Sequence, residues 1–208
     1  MTIDDRLNTL DALWSVWAAT GRTLNDADWD RPTRLDDWTV RHLWAHAAQW
    51  PFGFAVLVEQ WVTDAPPTHP TAAALMAEFN APDGVANTMR GQVATAGRED
   101  SAKYTVEQMV SQFASTGPAA VEAARKLGPV RVNYFGRAVM PLEEAVSIGI
   151  LETTVHLLDL QRALGLEPDV PAESLQHTAA VLAQIAPPVD FIEATTGRAS
   201  TDLFPVLS

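Results

Sequence analysis

A chain of 208 residues is long enough for one domain with a sizeable core, and 47% hydrophobic residues, with seven tryptophans among them, exclude a disordered chain. The 26 acidic residues exceed the 14 basic ones by 12, which sets the surface against phosphate backbones and anionic membranes, so neither nucleic acid nor membrane is an expected partner. There is no cysteine, hence no disulfide, no cysteine nucleophile and no thiolate metal site, and any metal must sit on His, Asp and Glu.

The opening Met-Thr-Ile-Asp-Asp-Arg lacks the apolar run of a signal peptide, and no stretch reaches the ~18 uninterrupted apolar residues of a membrane span. A cytoplasmic location is the expectation. Over residues 3–24, Leu7, Leu10, Trp14 and Trp17 recur at spacings of three and four, the stripe of an amphipathic helix. A polar loop at 28–33 follows. Thr39 suits the N-cap of a second helix that carries Val40, Leu43, Trp44, Ala47 and Ala48 on one face and runs to about Val62. The prolines of 64–70 stop it. Two shorter helices are expected at 71–79 and 84–97, and Thr105 with Gln108 reads as a capping box for a third long helix over 106–126.

Only residues 128–140 show some strand alternation. Pro141 suits a first helical position, Glu143 and Glu144 suit the first turn's dipole, and Gly165 suits the stop of the helix they open. That helix is apolar on most sides and is therefore expected at the centre of the fold. Two weaker helices, about 172–186 and 189–197, are split by Pro187 and Pro188. The predicted architecture is all-α: a four-helix bundle over residues 1–165, with short extra helices in the connection between its second and third members and a small C-terminal helical extension over 166–208 packed on the bundle.

On the central helix Glu152, His156 and Asp159 fall within about 60° of one another. Three ionisable groups on one face of an apolar helix need partners, because burying a lone charge costs several kcal/mol. A metal satisfies a Glu and a His together, and Asp159 can then accept the second imidazole N–H. A Glu–His hydrogen bond, or an ion pair to an arginine such as Arg137, is the alternative. On the second helix His46 lies between Ala45 and Ala47, small neighbours that leave room for a ligand; its alternative is a core histidine bonded to a backbone carbonyl. A His on one helix facing a Glu-x-x-x-His on another matches the way bundles build metal sites. His42, a turn nearer the helix start, is read as a capping or surface residue.

Trp29-x-x-Pro32-Thr33, followed by Asp37-Trp38-Thr39-Val40-Arg41-x-Leu43-x-x-His46, resembles the N-terminal signature of the DinB-like, mycothiol-dependent maleylpyruvate isomerase family. Glu152-x-x-x-His156-x-x-Asp159-Leu160 resembles its second signature, and Ala194-Thr195-Thr196-Gly197-Arg198 is similar to chain ends in that family. The resemblance covers residues 3 to about 165 well and the tail more loosely. It implies a DinB-type four-helix bundle, a zinc site with His46, Glu152 and His156 as ligands, and thiol chemistry with mycothiol, the low-molecular-weight thiol of actinobacteria. The isomerase resembled has a fuller C-terminal α/β domain that contributes an active-site arginine. No match to that domain is found here; Arg198 is a candidate for the arginine's role, and an exposed helix-end residue is the preferred reading of it.

Three protein ligands leave a position open, the mark of a catalytic zinc site, and a thiol bound to zinc is deprotonated. A chain without cysteine must take its thiol from a cosubstrate. The expected function is thus a zinc-dependent, mycothiol-using thiol S-transferase or maleylpyruvate-isomerase-like enzyme acting on a small electrophile. The same ligands also match iron(II) oxygenases and His2Glu hydrolases, with iron or nickel as other divalent metals, and a DinB-like bundle that binds metal or ligand without turnover, as a homodimer, is the reading from a different class. His69 among its prolines is expected to be solvent-exposed, and His177 to be a surface or packing residue. Ser147 lacks a base and a nucleophile elbow. The tryptophans are expected in the core, with one or two lining a pocket above the metal.

Overall fold

The computed structural model describes residues 1–35, 37–198 and 205–207, so residues 199–204 and 208 of the expected extension lie outside the described residues. In chain order the elements are α1 (Ile3–Thr23), α2 (Asp26–Trp29), α3 (Val40–Ala47), α4 (Gln49–Gln60), β1 (Val62–Thr63), α5 (Ala72–Phe79), α6 (Val85–Thr88) and α7 (Arg90–Lys103). There follow α8 (Val106–Ser111), a π-helical turn (Gln112–Thr116), α9 (Gly117–Leu127), β2 (Arg131–Tyr134), β3 (Ala138–Pro141), α10 (Leu142–Leu164), α11 (Ala172–Ile185) and α12 (Pro188–Thr195).

The fold is the expected all-α bundle. Its four members are α1, the α3–α4 pair, the α8–π–α9 segment and α10. α1 packs on α10 and α9, α9 packs on α4, and α3 returns to α10. α10 is buried along most of its length, as its all-round apolar sequence requires, and Gly165 ends it in the left-handed conformation (φ 70°) that glycine adopts without penalty. Pro141 serves as its N-cap rather than its first residue, so the helix starts one residue later than expected, because Pro141 also closes β3 opposite Arg131. α11 lies against α10, α5 and α1, and α12 touches α11.

The core is aromatic. Trp17 stacks on Phe113 with centroids 4.9 Å apart, Trp44 meets Trp17 edge-on at 5.0 Å, and the Trp17 indole N–H donates to the Thr153 carbonyl at 3.0 Å, tying α1 to α10.

Three departures have local causes. The second long helix is interrupted at Ala48, because Pro51 has no N–H to bond the Ala47 carbonyl. The third is capped as predicted, with Thr105 Oγ1 accepting from the Gln108 N–H (3.2 Å) and Gln108 Oε1 from the Thr105 N–H (2.8 Å), but it widens into a π turn just before Gly117–Pro118. The alternating stretch at 128–140 becomes the β2–β3 hairpin, and β1 adds to it with Val62 opposite Val132. No helix among the described residues is long and apolar enough to cross a membrane.

Candidate metal centre

α10 and α3 bring the three sequence candidates together. The imidazoles of His46 and His156 lie with centroids 5.1 Å apart and planes nearly perpendicular (87°). Glu152 Oε2 is 3.9 Å from His156 Nε2, beyond hydrogen-bond range. All three side chains line one cleft of about 550 Å³.

Glu152 and His156 form a loose ion pair, but the hydrogen bonds expected as alternatives are not made. Among the described residues no hydrogen bond reaches the Glu152 carboxylate, Arg137 forms no ion pair with it, and neither ring nitrogen of His46 bonds a backbone carbonyl. Burial raises the Glu152 carboxyl above its ordinary range, with the His156 charge opposing. Burial, reinforced by His156, pushes His46 down to about 3, so its imidazole is neutral at physiological pH, the form a metal binds. The Tyr134 phenol is raised by burial and further by Glu152.

Asp159 orients His156. Its Oδ2 lies 3.1 Å from His156 Nδ1, and its Oδ1 accepts from Arg34 Nε at 2.6 Å. Burial pushes the Asp159 carboxyl up, but the hydrogen bonds from His156 and Arg34 outweigh it and hold the group below its usual range. An ionised carboxylate only accepts, so the proton sits on Nδ1 and the Nε2 lone pair is left for a ligand.

Sequence reasoning missed Arg34, although a signal existed: a carboxylate on a buried helix face requires a cation, and Arg34 follows the Pro32-Thr33 pair. It also missed Arg90 and Arg98 on the cleft wall, and Trp38, whose ring is tilted against His46 at 5.2 Å.

The donor set fits a divalent metal in kind: two imidazoles and one carboxylate, the carboxylate without a hydrogen bond among the described residues. As they stand, no three His, Asp or Glu side chains among those residues are gathered closely enough to hold an ion. The 3.9 Å between Glu152 and His156 exceeds the roughly 3.3 Å that separates two donors at ~2.0 Å from a tetrahedral zinc.

The other candidates lie elsewhere. His42 Nδ1 accepts from the Thr39 N–H at 3.1 Å, closing the start of α3. His69 is not solvent-exposed as expected but half-buried, its Nε2 2.8 Å from Glu78 Oε2 and its Nδ1 3.0 Å from Thr68 Oγ1, because the proline-rich loop folds back on α5. Ser147 is buried, accepts from Arg6 and donates to the Glu143 carbonyl. Arg198 is exposed beyond α12, bonds the Thr196 carbonyl at 3.3 Å and does not line the cleft.

The family model described as the mycothiol maleylpyruvate isomerase N-terminal domain matches residues 10–161, which include α3, most of α10 and all three candidate ligands. No curated protein and no solved structure matches the chain.

Proposed function

The chain belongs to the mycothiol maleylpyruvate isomerase N-terminal domain family, and on that premise we propose that it is a divalent-metal-dependent enzyme that adds a low-molecular-weight thiol, mycothiol, to a small electrophile. The carrying observation is that His46, Glu152 and His156, from two helices far apart in sequence, line one cleft without hydrogen-bonding one another.

These three residues would hold the metal, zinc in the first place. When bound, it keeps a thiol deprotonated at neutral pH. The rest falls to the protein. Asp159, fixed by Arg34, holds the His156 proton on Nδ1. Trp38 covers one side of His46 and limits water. Arg34, paired with Asp159, Arg98, paired with Asp37, and Arg90 bring guanidinium groups to the cleft of an acidic molecule, and a guanidinium near a thiol favours its thiolate form. The thiolate sulfur adds to an electrophilic carbon, and the product either leaves as the conjugate or, after rotation about the former double bond, expels the thiol as an isomer.

The test is turnover of simple electrophiles by metal-loaded protein with mycothiol present or withheld. The expected result is conjugation or isomerisation only with both metal and thiol, reduced at least ~100-fold in Glu152→Gln. Metal-replete protein that turns over no electrophile with thiol, but hydrolyses or oxidises substrates without it, contradicts the proposal.

A further inference from the structure

His46 separates two cavities. One is the arginine-lined cleft; the other is a chamber of about 270 Å³ between α1, α4, α10 and the β2–β3 turn. Among the described residues no Asp, Glu, Lys or Arg lines this second chamber; its walls include Leu10, Trp14, Trp50, Phe54 and Phe135. In the metal-free protein a carboxylate placed there meets no charged side chain to pair it. An apolar cavity of ~150 Å³ already admits benzene in another protein, so this chamber has room for a substituted ring.

The chamber is not featureless. Gln49 and Tyr134 line it beside the apolar walls, so an otherwise hydrocarbon ligand finds polar side chains there. Phe135, in the β2–β3 turn with Gly136 also at positive φ, lines it as well, and its ring tip would lie 3.5 Å from a Cβ on Gly53.

We propose that this chamber is the electrophile's subsite, and that it takes an uncharged, largely hydrocarbon molecule of about one substituted ring bearing one polar group such as a carbonyl. The assignment rests on the thiol-addition reading for what then happens to the molecule, but not for its binding. It also assigns the two sides of His46: the thiol comes from the arginine-lined cleft, the acceptor from the apolar chamber.

The experiment measures binding of acetophenone and of benzoate, similar in shape but neutral and anionic, to the metal-stripped full chain by calorimetry and tryptophan fluorescence. Ala145→Leu and Gly149→Ala fill the chamber without touching a candidate ligand; a Cβ at Gly149 meets Leu10 at an ordinary 3.6 Å, so that variant is expected to fold. Acetophenone is expected to bind at least about tenfold more tightly than benzoate, and to lose about tenfold in either folded variant. Benzoate binding as tightly as acetophenone, or acetophenone indifferent to Gly149→Ala, overturns the assignment. Binding as expected in a protein that never transfers a thiol leaves the chamber and removes the proposed function. Thiol transfer without acetophenone binding does the reverse.

Discussion

Asp159 is the residue through which the candidate centre is tuned. It is 2% exposed and holds His156 on one oxygen and Arg34 on the other. Partners of this kind, acting on a ligating histidine, are typically worth 10–100-fold in metal affinity. Asp159→Ala is therefore expected to weaken zinc binding by about that factor, read by competition with a chromogenic chelator. Arg34→Ala should cost less, since Arg34 is itself more than half exposed and its pairing is screened. Equal affinity in Asp159→Ala and wild type would show that His156 needs no orienting partner.

Far from the centre, His177 on α11 has its Nε2 buried without a hydrogen bond. Burial lowers its affinity for a proton, the Arg6 charge adds to this and Glu144 opposes it. As pH falls below 6.5 the unfolded chain takes up the proton before the native one does, so stability from neutral His177 is full above that value and drains away below it. The denaturation midpoint of wild type should therefore lose ground to that of His177→Asn between about pH 8 and pH 5. A gap that does not change with pH would show that the site is not desolvated.

At the scale of elements, α7 is held against α3 by a missing side chain. A Cβ at Gly97 would lie 2.7 Å from Cζ2 of Trp38, within the ring that leans on His46. Gly97→Ala gains up to ~1 kcal/mol of helix propensity but faces about 1–3 kcal/mol of overpacking. A net loss is expected in urea denaturation, with weakened metal binding because Trp38 is pushed towards His46. Unchanged stability would mean that α7 shifts freely.

This is also the scale at which the sequence was most and least legible. Long periodic segments with capping chemistry, such as α10 with Gly165 or α8 with Thr105 and Gln108, could be read because period and caps are local. The interruption at Ala48 was readable from Pro51 but hidden by the continuous apolar stripe around it. The π turn leaves no trace in a five-residue pattern, and the two-residue β1 exists only through its pairing with β2, some seventy residues away in sequence.

For the whole molecule, the bundle explains how an acidic chain gathers arginines at one cleft: the loop before α3 and the face of α7 deliver Arg34, Arg90 and Arg98 to one side of α10. Glu152, His156 and His46 could be picked out because ionisable residues on apolar helix faces are costly and therefore conspicuous. Their neighbours on loops and on the polar α7 could not, because a solvated arginine is ordinary and only the packing shows which of them faces the cleft. The apolar chamber was legible only in part: one or two tryptophans were expected beside the metal, and Trp14 and Trp50 line it with His46, but the rest of its walls read as ordinary core.

The central claim is that His46, Glu152 and His156 form one metal centre. The direct measurement is elemental analysis of untagged protein, purified without chelator, beside His46→Ala, Glu152→Gln and His156→Ala, with folding checked by circular dichroism. The account predicts about one divalent ion per wild-type chain, zinc foremost, and its loss in each folded variant. Wild-type protein that holds no metal even after supplementation, or metal retained in all three variants, would contradict it.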